Sequence, residues 1–86
     1  MEAVIQAIKD GDEDLATNLV VALDNNIAVD ALDAKGRAAI HYASANRMVP
    51  VIWALVDRGS NINLRDTQGK TPLHYAVDSG RVLEQE

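Results

Sequence analysis

Two histidines, His41 and His74, are the side chains of this 86-residue chain best suited to metal binding or proton transfer. A zinc site needs several Cys, His or carboxylate ligands at short spacings. The chain has no cysteine, and Ser44 and Ala45 lie three and four positions after His41. Both histidines precede Tyr-Ala, and they lie 33 residues apart (74 − 41 = 33). A residue that recurs at a fixed period is typical of a structural repeat, so we interpret both histidines as structural.

The other groups that could support catalysis do not form a catalytic motif. The acidic cluster Asp10, Asp12, Glu13 and Asp14 lacks the alternating ligands, central glycine and closing glutamate of an EF-hand loop. It is typical of a helix start, where carboxylates interact favourably with the helix dipole. None of the three serines lies in a Gly-x-Ser-x-Gly nucleophile motif, and no glycine-rich phosphate loop occurs. The sequence therefore predicts no enzyme, no cofactor and no metal site.

Charge and composition exclude several further classes of protein. The net charge is −5 at pH 7, so binding to nucleic acid would gain little from counterion release. An anionic membrane surface is disfavoured for the same reason. The N-terminus lacks the basic start and apolar stretch of a signal peptide, and no cysteine is present for disulfides. We therefore predict a cytoplasmic or nuclear protein with neither a nucleic-acid nor a membrane partner.

The main signal in the sequence is an internal repeat. Two segments align without a gap, namely DAKGRAAIHYA from Asp33 and DTQGKTPLHYA from Asp66, at a spacing of 33 residues (66 − 33 = 33). Asp-x-x-Gly is a turn pattern in which the glycine can adopt positive φ. Pro72 suits the first turn of a helix, and Thr71 before it can act as a cap. Each segment therefore predicts a turn followed by a helix.

On these residues the chain is similar to the ankyrin-repeat family, whose period is 33 residues and whose signature is Thr-Pro-Leu-His-x-Ala. The resemblance covers Asp33 to Gly80 well and the flanks less well. It implies an all-α solenoid of stacked helix-turn-helix units joined by hairpin turns, with about two and a half repeats. It also implies that the repeated histidine makes structural hydrogen bonds.

We divide the chain into three units on this basis. Residues 1–32 form a modified N-terminal capping repeat, 33–65 a full repeat, and 66–86 a partial repeat that stops within its second helix. Gly11 and Asp33 are 22 positions apart where a regular unit has 19, and we assign the difference to an extra helical turn between Asp12 and Leu23. In the full repeat we expect a first helix near 38–45 and an apolar second helix near 51–56.

The resemblance implies a protein-binding function, because stacked repeats form an extended concave surface whose variable positions contact partners. In this family those positions are the hairpin tips and the exposed side of the first helix. Carried over to this chain, they are Ala34, Lys35, Arg37, Ala45, Asn46, Thr67, Gln68, Lys70, Asp78 and Ser79. Lys35, Arg37 and Lys70 form a basic strip in an acidic chain. This strip either meets an acidic segment of the partner or serves solubility alone.

Four further expectations concern single features. We expect Trp53 to pack in the core, with a role as an interface anchor as the alternative. Asn63 matches a position that some ankyrin proteins present to an asparaginyl hydroxylase; a turn asparagine is the alternative. Val77, Val82 and Leu83 would form an apolar end face suited to self-association. As an alternative to a binding module, the segment regulates or targets a larger enzyme, channel or lipid carrier.

Overall fold

The fold of the chain is all-helical. The computed structural model describes residues 1–24 and 26–77, and the predicted sites Asp78, Ser79, Val82 and Leu83 lie outside this range. Its helices are α1 (Glu2–Lys9), α2 (Glu13–Val21), α3 (Ala39–Ala45) and α4 (Val49–Asp57). Residues 72–77 are also helical, and the described residues contain no strand. None of the described helices is long and apolar enough to cross a membrane.

Local chemistry explains where the helices begin. Asp12 is the N-cap of α2, and its carboxylate accepts a hydrogen bond from the N–H of Leu15 at 3.1 Å. Glu13 and Asp14 lie in the first turn of α2, so three residues of the acidic cluster form a helix start as predicted, while Asp10 is the C-cap of α1. Pro50 lies in the first turn of α4, where a missing N–H costs no intrahelical hydrogen bond.

The first unit is longer than the second, but not through an extra helical turn. Both α2 and α4 have nine residues. From the end of α2 to Asp33 is 12 positions (33 − 21), and from the end of α4 to Asp66 is 9 (66 − 57). The predicted extra turn within α2 is therefore wrong, because the three additional residues follow the helix. The physical reason is the sequence after Leu23, where Asp and Asn favour turns over helix.

The helices pack in two layers around one core. α1 packs against α3 in one layer and α2 against α4 in the other, while α1 with α2 and α3 with α4 form the two units. Small residues such as Ala16, Ala39 and Ala43 are fully buried beside Ile8 and Leu55. Their small size lets the helices approach closely, so that aliphatic side chains fill the space between the helices at the packing density of an organic crystal. The core is thus aliphatic, which agrees with a chain that has no Phe and only 3% aromatic residues.

Trp53 does not belong to this core. Its side chain is 66% exposed, and Val49 one turn earlier is 54% exposed. Val51 and Leu55 are the residues that α4 buries completely, and Trp53 is two positions from each. Two positions correspond to a rotation of about 200° around a helix, so Trp53 lies on the outer side of α4. The prediction that Trp53 packs in the core is wrong.

Candidate functional site

Two hairpin turns of identical geometry precede α3 and the helical residues 72–77. In the first, the N–H of Asp33 donates to the carbonyl of Arg37 at 2.8 Å. Oδ1 of Asp33 accepts from the N–H groups of Lys35 at 3.0 Å and Arg37 at 3.1 Å. In the second, Oδ1 of Asp66 accepts from the N–H groups of Gln68 and Lys70, both at 2.9 Å. One carboxylate oxygen therefore holds each turn closed.

The second oxygen of each carboxylate ties the hairpin to the following helix. The hydroxyl of Tyr42 donates to Oδ2 of Asp33, and that of Tyr75 donates to Oδ2 of Asp66. The hydrogen bond from Tyr75 lowers the pKa of Asp66 to about 2, against the opposing effect of burial. Burial, followed by hydrogen bonding to Asp66, raises the pKa of Tyr75. Both shifts favour the state in which Tyr75 is protonated and donates while Asp66 is ionised and accepts.

We expect Tyr75→Phe to flatten the acid dependence of stability. In the folded chain Asp66 titrates near a pKa of about 2, below its usual 3.8, so its ionised form stabilises the fold above about pH 4. That contribution is lost as the pH falls from about 4 to about 2. Without the Tyr75 hydroxyl the folded pKa moves back toward 3.8. Urea unfolding across this pH range measures the difference, and parallel stability curves for the two proteins would contradict it.

The same tyrosines hold basic side chains over their rings. Nζ of Lys9 lies 4.9 Å from the ring centroid of Tyr42. Cζ of Arg37 and Nζ of Lys70 lie 5.7 and 5.8 Å from the ring centroid of Tyr75. These are cation–π distances. We call this surface, made of Lys9, Arg37, Tyr42, Lys70 and Tyr75, the cation–tyrosine face.

His41 connects the first helix of its repeat to the end of the same repeat inside the fold. Its side chain is fully buried; Nδ1 accepts from the N–H of Ala38 at 3.0 Å, and Nε2 lies 2.8 Å from the carbonyl oxygen of Leu64. Because Nδ1 accepts, Nε2 carries the proton and donates to Leu64. The ring also meets Tyr75 edge-on at 5.5 Å between centroids. These hydrogen bonds confirm the structural role predicted for His41.

His74 is hydrogen-bonded to its own turn, but the described residues give it no counterpart of the hydrogen bond from His41 to Leu64. Its Nδ1 accepts from the N–H of Thr71 at 3.0 Å and lies 2.8 Å from the Thr71 hydroxyl. The residue is exposed, in contrast to His41. Among the described residues there is no group of three or more His, Cys, Asp or Glu side chains that could hold a metal.

Most of the sequence-predicted surface residues are accessible to a partner. Ala34, Lys35, Asn46, Thr67, Gln68 and Lys70 are exposed, while Arg37 and Ala45 are partly buried. The structure brings Arg37 and Lys70 together at Tyr75. It places Thr67 against the neighbouring hairpin, where its N–H donates to the carbonyl of Gly36 at 3.1 Å. Asn63 is exposed, with its own N–H donating to Oδ1 of Asn61 at 2.9 Å.

Sequence reasoning missed Lys9 as a member of this surface. Its position becomes clear once the helices are aligned, because α2 and α4 begin 36 residues apart (49 − 13 = 36). The same offset places Lys9 opposite Ala45 (9 + 36 = 45), which is one of the predicted binding positions. In the structure Gly11 and Arg47 occupy equivalent turns and both have positive φ. The signal available in the sequence was that Lys9 lies two residues before Gly11, as Ala45 lies two residues before Arg47.

Proteins from several organisms are similar to this chain. It is 42% identical over 49 residues to Inversin-B of Xenopus laevis, covering 57% of this chain and 5% of that protein. It is 38% identical over 77 residues to a probable serine/threonine-protein kinase of Dictyostelium discoideum, covering 85% of this chain and 7% of that protein. An ankyrin repeat-containing protein of Schizosaccharomyces pombe is 37% identical over 67 residues, or 78% of this chain and 31% of that protein. The chain thus spans less than a third of these relatives.

The fold also has a solved counterpart. The crystal structure of the ankyrin repeat protein EF0377 superposes with a TM-score of 0.72 at 29% sequence identity, covering 92% of this chain and 39% of that one. A family model described as ankyrin repeats (3 copies) matches residues 4–84. These findings confirm the all-α solenoid of about two and a half repeats. The chain belongs to the ankyrin-repeat family.

Proposed function

We propose that this chain is a non-catalytic protein-binding module that uses its concave side, formed by the hairpin tips and the first helix of each repeat. Ankyrin repeats are protein-interaction modules. The observation that carries the proposal is the cation–tyrosine face, where basic and aromatic side chains from three consecutive units meet on one surface. Tyrosine and arginine are the residues that dominate binding energy at protein interfaces.

The hydrogen bonds beneath this surface favour the same proposal. Each tyrosine is anchored through its hydroxyl to a hairpin carboxylate, and each carboxylate also holds its turn through two backbone N–H groups. A binding surface whose side chains are already positioned loses less conformational entropy on association. The hairpin tips and helices therefore present a preorganised surface to a partner.

Capture from a lysate of the native cells tests the proposed function. We expect the double variant Lys35→Glu, Lys70→Glu to retain at least about tenfold less of any specific partner than the original chain. Both side chains are exposed, so the changes act on the surface and not on the core. Quantitative mass spectrometry of the retained proteins gives the ratio.

The matched control is Arg47→Glu, Arg58→Glu, which makes the same change in net charge. Arg47 lies in the turn before α4 and Arg58 at the end of α4, away from the two hairpins. Circular dichroism confirms that both variants are folded before they are compared. Equal loss with both variants, or retention by the Lys35→Glu, Lys70→Glu variant, contradicts binding through the concave side.

As a second proposal, the segment serves as a regulatory or targeting part of a larger enzyme, channel or lipid carrier. The observation that favours it is coverage, because the chain matches 5%, 7% and 31% of the three relatives. We further propose a cytoplasmic or nuclear location. An antibody against this chain tests both points: immunoblotting reports the mass of the native polypeptide, and a band at 9.3 kDa contradicts the larger protein. Cell fractionation reports the compartment.

Two smaller proposals concern Asn63 and the last repeat. The exposed amide of Asn63 is accessible to an asparaginyl hydroxylase, and intact-mass analysis of the protein from its native cells would show one added oxygen. Ile62, Leu73 and Val77 expose 56%, 70% and 49% of their surfaces, which supports self-association at the C-terminal end of the array. Sedimentation velocity showing a monomer at high concentration contradicts this second proposal.

A further inference from the structure

The charge of the cation–tyrosine face is opposite to that of the chain. The whole sequence has a net charge of −5, but three basic side chains lie over two tyrosine rings on the concave side. Lys35 lines one cleft with Lys9 and adds a fourth positive charge, and the acidic residues Glu2 and Asp33 share this cleft. The concave side thus carries four cations beside the three carboxylates Glu2, Asp33 and Asp66, so it is basic relative to the acidic chain as a whole.

The carboxylate of the second hairpin, Asp66, is engaged by donors other than the two cations at Tyr75. Oδ1 of Asp66 accepts two backbone N–H groups, and Oδ2 accepts the Tyr75 hydroxyl. Asp66 is only 7% exposed, so its charge is directed inward. A guanidinium or ammonium group above an aromatic ring retains N–H donors that are not engaged by the ring. Arg37 and Lys70 thus keep the capacity to bind carboxylates of another molecule.

The two tyrosines recur with the period of the repeats (75 − 42 = 33), and each has a cation of the preceding unit over its ring. Lys9 of the first unit lies over Tyr42 of the second, and Arg37 of the second unit lies over Tyr75 of the third. α1 and α3 pack directly, and packed helices are about 8–10 Å apart. An extended peptide advances about 3.3 Å per residue, so about three of its residues span one repeat.

We propose that the cation–tyrosine face binds an extended acidic segment of a partner protein, with Asp or Glu at every third position. The peptide crosses the repeats. Its carboxylates contact Lys9 where the first and second repeats meet, and Arg37 with Lys70 where the second and third repeats meet. The tyrosine rings hold these cations in place and offer apolar surface to the residues between the acids. This proposal rests on the proposed function and names the chemistry of the partner.

Selection from a display library of random peptides about twelve residues long tests the proposal, since that length spans about four repeats. We expect the peptides retained by the 86-residue chain to be enriched in Asp and Glu, with a preferred spacing of three. The best peptide is then synthesised, and its Kd is measured by fluorescence anisotropy. The affinity should fall as NaCl rises from about 50 to about 500 mM, because ionic screening weakens exposed charge pairs.

Two variants test whether the acidic peptide binds at the cation–tyrosine face. Arg37→Gln, Lys70→Gln should weaken the Kd of the acidic peptide by about tenfold, because it removes both cations held at Tyr75. The control Arg47→Gln, Arg58→Gln removes the same charge elsewhere and should leave the Kd within about twofold. Thermal melts of both variants establish that they remain folded, and the salt dependence of the original chain provides a measurement that needs no variant.

The outcomes separate this proposal from the proposed function. Acidic peptides that lose affinity with the Arg37→Gln, Lys70→Gln variant support it. Selected peptides that are not acidic, but are lost with the Lys35→Glu, Lys70→Glu variant, overturn the acidic specificity and leave the protein-binding function. Peptides that bind equally to every variant overturn concave-side binding altogether. If no peptide is enriched, an extended acidic ligand is excluded, and lysate capture then decides the function.

Discussion

Replacing His41 with alanine is expected to lower the free energy of unfolding by about 3 kcal/mol. The substitution leaves a cavity at a fully buried position. It also leaves the N–H of Ala38 and the carbonyl of Leu64 without their side-chain partner, and an unsatisfied buried polar group costs about 1–3 kcal/mol. A domain this small has a total stability of about 5–10 kcal/mol. Urea unfolding followed by circular dichroism measures the change.

His74→Ala is the matched control for this experiment, since His74 occupies the same position one repeat later. It keeps only its local contacts to Thr71 and is exposed. The cost of His74→Ala should therefore stay below about 1 kcal/mol. Similar costs for the two histidines would show that the hydrogen bond from His41 to Leu64 contributes nothing to stability.

The second large effect is expected for Gly36→Ala, which should destabilise the chain by about 2–4 kcal/mol. Gly36 has φ +77°, and a Cβ there would lie 2.1 Å from Oγ1 and 2.9 Å from Cβ of Thr67. The left-handed conformation costs an alanine about 1–2 kcal/mol. The remainder comes from moving the two hairpins apart, which strains the hydrogen bond from the N–H of Thr67 to the carbonyl of Gly36.

Gly69→Ala separates these two contributions. Gly69 has φ +79°, and a Cβ there would meet no atom within 4 Å. Its substitution should cost only the conformational penalty of about 1–2 kcal/mol. Thr67→Ala removes the two closest atoms, so Gly36→Ala should cost less in that background than in the original chain. Equal costs for Gly36→Ala and Gly69→Ala, measured by urea unfolding, would show that the hairpins do not pack on each other.

His41→Ala and Gly36→Ala also affect the surface that the partner is proposed to bind. Thr67 is a predicted binding residue that also packs against Gly36, and Tyr75 contacts both His41 and Arg37. Contacts between repeats therefore position the cation–tyrosine face. A loss of binding in Gly36→Ala or His41→Ala would reflect a change of stacking, so the exposed residues Lys35 and Lys70 are the better probes of recognition.

The sequence by itself determined the repeat and the features that depend on neighbouring residues. The 33-residue spacing from Asp33 to Asp66 predicts two equivalent hairpins. The structure forms both because each carboxylate bonds N–H groups only two and four residues away. The helix start at Asp12 and the structural role of His41 follow in the same way. Such interactions lie within one repeat or recur at its period, so the order of residues suffices to locate them.

Only the tertiary structure decided the features that depend on packing between elements. The outer position of Trp53 follows from which side of α4 meets α2 and α3, and an almost wholly apolar helix does not encode that choice in its pattern. The three additional residues could lengthen α2 or the loop after it, and the competition between helix and turn placed them in the loop. Lys9 joins Arg37 and Lys70 on one surface because stacking brings three units together. Contacts between residues far apart in the chain arise only when the repeats stack, and they decide which side chains a partner can reach.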